Sequence, residues 1–71
     1  MFDYSKLHGR IVEKYGSQSA FADACGVSRQ SVSGVIKHGK MMRESTVMRW
    51  AELLDIPGKD MQEYFFTLKV W

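Results

Sequence analysis

Hydrophobic positions recur along the chain at intervals of three and four residues, and glycines interrupt the recurrence where helices are expected to stop. Leu7, Ile11, Val12 and Tyr15 form the first stripe, which predicts a helix from Met1 to Tyr15 with Asp3 as its cap and Gly16 as its stop. Ser17 suits an N-cap because its hydroxyl can accept from free backbone N–H groups, and Gln18 to Cys25 then carries Phe21, Ala22 and Cys25 on one face. Gly26 ends this second helix. Glycine takes the positive φ needed there without a Cβ penalty, Val27 is expected as an apolar plug, and Ser28 caps a third helix from Arg29 to about Lys37. Val32, Val35 and Ile36 face inward in that helix, leaving Arg29, Gln30, Ser33 and Lys37 on or near the opposite side.

The second half continues the pattern. Glu44 or Ser45 can cap a fourth helix, Thr46 to Asp55, whose Val47, Trp50, Ala51 and Leu54 stand at i, i+3, i+4 and i+7 and are expected to pack under the third helix. Ile56, Pro57 and Gly58 break it, and a fifth short helix from about Gly58 to Phe66 has Met61, Tyr64, Phe65 and Leu68 as its apolar face. Thr67 to Trp71 forms a short tail, in which Leu68 and Val70 alternate with Lys69 and Trp71, suited to a strand or to an apolar extension. The prediction is an all-α, five-helix domain spanning 1–71, with no internal repeat or linker.

The outward set on the third helix is what a base-reading helix requires. The major groove admits one α-helix, and in its first turn arginine can pair bidentately with guanine and glutamine with adenine. Gln18, Phe21, Ala22, Gly26, Val27, Ser28, Val32 and Val35, with their spacing, resemble the phage repressor and Cro-type helix-turn-helix family. The resemblance extends in fold over roughly residues 3 to 66, but its specific signature lies between Ser17 and Gly39. It implies phosphate contacts from Gln18 and Ser28, and a small Ala22 where two helices cross closely.

On this reading Arg29, Gln30, Ser33 and Gly34 meet bases, and Ser31, Lys37, Lys40 and Arg43 join the phosphate set. Gly34 costs a short helix roughly 1 kcal/mol relative to alanine, so it either permits close approach to DNA or is an unoptimised surface position. The family often closes this helix with an acidic or Asn residue and a glycine; here Lys37 and His38 precede Gly39, which leaves the register of contacts after the helix open.

Charge sharpens the picture. The chain of 71 residues carries a net charge of only +2. Residues 24–43, however, hold Arg29, Lys37, Lys40 and Arg43 and no acid, whereas 1–23 balance to zero and 44–71 to −2. Of Tyr4, Lys6 and Arg10, which lie partly off the first stripe, one or two could reach phosphates; for Arg10 the solvated helix face is preferred. Met41 and Met42 are expected to turn toward the core or a partner.

Chemistry other than binding has little support. Cys25 is the sole cysteine, expected as a buried thiol, and with His8 and His38 apart from each other no structural zinc site assembles. No cofactor is implied. The serines, His38 and the carboxylates show no nucleophile and base spacing, and the glycines form no phosphate loop. No apolar run near 18 residues and no leader pattern follows Met1, so a cytoplasmic protein away from membranes is expected.

The favoured reading is a small sequence-specific transcription regulator that binds double-stranded operator DNA, as a homodimer if it reads two half-sites. A second reading is an antirepressor or modulator that binds a partner repressor protein through its aromatic C-terminal region. Tyr64, Phe65, Phe66, Leu68, Val70 and Trp71 are the expected interface, because a domain this small can hardly bury them all. The antitoxin half of a toxin pair fits the fold but would need a toxin-binding extension.

Overall fold

The computed structural model describes residues 2–68. Val70 and Trp71 of the expected interface lie outside the described residues. Five α-helices follow one another: α1 (Ser5–Tyr15), α2 (Gln18–Cys25), α3 (Arg29–His38), α4 (Glu44–Leu53) and α5 (Met61–Phe65), the last preceded by a single 3₁₀ turn, Gly58–Asp60. No strand forms among the described residues, but Phe2 and Leu68 make an isolated antiparallel bridge, and Asp3 N–H donates to the Thr67 carbonyl at 2.8 Å. The first and last described residues therefore lie side by side.

Local chemistry explains the helix ends. The Ser17 hydroxyl accepts from the Ala20 N–H and the Ser28 hydroxyl from the Ser31 N–H, each satisfying a donor that the helix leaves free. Gly26 closes α2 in the left-handed region at φ 75°, and its N–H is returned to the Asp23 carbonyl. Helix α1 starts later than its stripe suggests. The Asp3 carboxylate accepts from both the N–H and the hydroxyl of Ser5, fixing the entry of the chain just outside the helix. At α4 the flanking residue is Arg43, whose side chain makes no capping bond, and Glu44 occupies the first turn, where its charge favours the helix dipole.

Helix α2 lies at the centre, packed against α1, α3 and α4. The fully buried Phe21 sets its ring edge-to-face on Trp50 at 4.9 Å and on Tyr15 at 5.3 Å, and Leu7, Ile11, Val32, Leu54 and Phe65 close the core around it. All four positions of the α4 stripe are buried as its spacing predicts. Helix α4, however, rests chiefly on α2 and not beneath α3. Cys25 is buried as expected, and burial pushes its thiol up, with the nearby Arg49 guanidinium working in the opposite direction.

Several inward assignments are corrected. Val12, at 43% exposure, turns to solvent because Leu7 and Ile11 already fill the α1 seam. Val27 does not plug the turn; it is exposed, since the Gly26 reversal swings it outward. Tyr4 is not a surface residue at all. It is buried, its hydroxyl donates to the Lys40 carbonyl at 2.6 Å, and burial pushes its phenol up.

Arg10 is neither a phosphate contact nor a solvated side chain. Its Nε donates to the Leu54 carbonyl at 2.9 Å and its Nη2 to the Asp55 carbonyl at 3.3 Å, so it caps the C-terminal end of α4, while Nη1 reaches Glu13. Asp55 there adopts φ 52°, a left-handed conformation that aspartate tolerates, and Lys14 pairs with its carboxylate. Arg10→Ala is expected to lower stability by about 1–2 kcal/mol in a urea titration, because the α4 carbonyls lose charge-assisted bonds. Lys14→Ala should cost much less, its ion pair being largely solvated.

Candidate functional site

The cations divide into two groups. Lys6, Arg10, Lys14 and Arg49 are all engaged: Lys6 pairs with Glu63 and lies 5.2 Å from the Tyr64 ring centroid, and Arg49 donates to the Cys25 carbonyl at 3.4 Å. The bond to Glu63 holds the Lys6 ammonium above the usual lysine range. By contrast, the side chains of Arg29, Lys37, Lys40 and Arg43 are exposed and make no hydrogen bond or ion pair among the described residues. Among the described residues and apart from Lys59, the uncommitted cations lie on α3 and the loop after it, the same acid-free block that the sequence marks out.

Helix α3 builds the head of this face. Arg29 and Gln30 are exposed in its first turn, and Ser33 and Gly34 are half-buried in the next. The Ser28 and Ser31 hydroxyls are 3.0 Å apart and bond to each other, with Ser28 also capping the helix, so both are partly committed. Gln18 is half-buried at the start of α2, and its side chain makes no hydrogen bond among the described residues. A Cβ built on Gly34 would meet nothing within 4 Å, so packing within the chain does not demand glycine there.

That emptiness yields a paired expectation. Gly9, in α1, is equally open, and Gly9→Ala and Gly34→Ala should each raise stability by roughly 0.5–1 kcal/mol in a thermal melt. If α3 is the binding face, only Gly34→Ala weakens target binding. Unchanged binding by both variants would make Gly34 an unoptimised surface position and not a point of close approach.

The aromatic C-terminal segment does not present a single surface. Phe65 is buried and serves the core, so it is corrected from interface to core; Tyr64 is half-buried under Lys6. Phe66 is exposed, and Leu68 is 65% exposed beside the bridge to Phe2. Phe66 instead joins Phe2, Met41, Met42, Val47, Met48 and Met61 around an open apolar groove. Sequence reasoning did not find this groove. Its available signal was Met48, which falls off the buried stripe of α4 and stands 57% exposed, near Met41 at 78%. Among the described residues no group of His, Cys, Asp and Glu is arranged to hold a metal, and no helix is long and apolar enough to cross a membrane.

Fold and surface together define a small all-helical protein with a cationic helix face and a methionine-lined groove. The chain belongs to the family described as "protein of unknown function (DUF739)", whose model matches residues 1–68. It is also similar to the solution structure of the modulator of repression (MOR) of the temperate bacteriophage TP901-1 from Lactococcus lactis. That match has 32% sequence identity and a TM-score of 0.74, and it covers 99% of this chain and 95% of the other. No curated protein matches the chain. Neither of these matches supports the phage repressor and Cro-type family specifically; the resemblance to it is carried by the central stretch of the sequence.

Proposed function

We propose that this protein regulates repression in a temperate phage. The observation that carries the reading is its near full-length similarity, at 32% identity, to a phage modulator of repression. In the reading that the α3 geometry supports, α2 and α3 act as a helix-turn-helix that binds operator DNA. Arg29, Gln30, Ser33 and Gly34 meet base edges, and Gln18, Ser28, Ser31, Lys37, Lys40 and Arg43 meet phosphates. What supports it is the gathering of uncommitted cations on α3 and its following loop.

A second reading is favoured by the neighbour's description as a modulator and by the exposed apolar groove: the protein acts on a repressor protein and not on DNA directly. Selection from random duplex DNA, followed by titration at several salt concentrations, separates the two. Enrichment of a palindrome, with affinity that falls steeply as salt rises, supports an operator reader, because neutralised phosphates release counterions. No enriched site, together with stable co-elution with the repressor encoded by the same phage, sinks that reading and supports the modulator.

A further inference from the structure

Helix α4 carries a second surface whose chemistry is opposite to that of α3. Glu44, Met48 and Glu52 stand at i, i+4 and i+8, so they form one ridge, with an exposed methionine between two carboxylates and one helical turn from each. Apolar concavities lie on both sides of this ridge. One is lined by Phe2, Met42 and Phe66, the other by Ala51 and Ile56, and Met48 and Met61 border both. The two together follow α4 for about two turns, roughly 12 Å from Glu44 to Glu52. Neither carboxylate makes a hydrogen bond or ion pair among the described residues. Arg49 also borders the second concavity, but its guanidinium is turned to the Cys25 carbonyl.

Each property constrains the occupant. Methionine-rich apolar surface adapts to varied side chains, and a groove two turns long matches the spacing of anchors on an amphipathic helix. The acidic ridge repels nucleic acid. A second copy laid antiparallel across Met48 would bring Glu44 of one chain against Glu52 of the other, a like-charge contact that opposes self-pairing. Basic residues flanking an apolar stripe, by contrast, would neutralise both carboxylates while the stripe covers Met48 and Met61.

We infer that this face docks a basic amphipathic helix of a protein partner, with its apolar stripe on Met48 and Met61 and a lysine or arginine paired to each of Glu44 and Glu52. This docking rests on the groove that also favours the modulator reading and goes beyond that reading by assigning the chemistry of the partner segment; it is independent of what α3 meets. The probe is a synthetic helical peptide with leucines at i, i+3, i+4 and i+7 flanked by lysines, and a matched peptide with glutamates in place of the lysines. Titrating each into the full chain labelled at its methionine methyl groups should give saturable shifts at Met48 and Met61, with the lysine peptide binding about tenfold more tightly.

Glu44→Lys together with Glu52→Lys should reverse that preference. Glu52→Lys alone, away from the helix N-terminus, should narrow it even if the double variant melts early. Absence of shifts at Met48 and Met61 at saturating peptide would overturn the inference, as would equal affinity for the two peptides. Shifts that arise on concentrating the protein alone would overturn it in favour of a second copy.

Discussion

Phe21→Ala is expected to lower folding stability by about 3–5 kcal/mol, the range for truncating a fully buried aromatic side chain. Phe21 sits on the helix that contacts α1, α3 and α4, and its ring is the meeting point of Tyr15 from α1 and Trp50 from α4. The truncation removes apolar burial, two edge-to-face ring contacts worth roughly 0.5–1.5 kcal/mol each, and the filler of a space that three helices cannot collapse into independently. Domains of this size stand near the lower end of the roughly 5–15 kcal/mol range of native stability, so the variant should be largely unfolded at moderate temperature. Urea titration followed by far-ultraviolet circular dichroism measures the loss. Met48→Ala, on the exposed ridge of α4, provides the contrast and should change stability by no more than about 0.5 kcal/mol. A loss below about 1 kcal/mol for Phe21→Ala would mean that the core is not organised around this ring.

Arg29→Ala is expected to do the reverse, leaving stability within about 0.5 kcal/mol and weakening target binding by about 1–3 kcal/mol. Its side chain is exposed, makes no bond among the described residues, and projects from the first residue of α3, so its removal costs the fold nothing that the structure records. With operator DNA as the target, the loss falls at one base position and selectivity relaxes there, whereas Lys40→Ala weakens all sequences alike. With a repressor protein as the target, Arg29→Ala still reports whether α3 is the contact, and competition binding supplies the number. Arg10→Ala is the internal control: it lowers stability through α4 and, below its melting transition, leaves binding unchanged. Equal affinity of Arg29→Ala and the parent would remove α3 from the binding face.

Lys6 and Arg10 show why equal-looking surface residues separate on folding. Both stand off the α1 stripe in sequence, yet their partners are Glu63 and the carbonyls of Leu54 and Asp55, more than forty residues away. Tyr4 is the sharper case. Its place off the apolar stripe of the first helix suggests a surface ring, but the return of Thr67 to Asp3 and the approach of Lys40 enclose it. Phe65 and Phe66 are adjacent and chemically identical, and the pitch of the short α5 sends one into the core and the other to the groove.

Helix number and type, the serine caps of α2 and α3, the glycine stop at Gly26, the buried stripe of α4 and the acid-free block around α3 were all determined by the sequence itself. These depend on interactions within one or two helical turns, where periodicity, cap chemistry and glycine's freedom at positive φ act locally. Tertiary structure alone decided which cations are spent on carbonyls and which stay free, that Tyr4 and Phe65 are internal, that α4 rests on α2, and that four methionines from three segments share one groove. Those outcomes depend on where distant segments meet, and an apolar residue gains the same free energy from any neighbour that excludes water, so its sequence position does not name its partner.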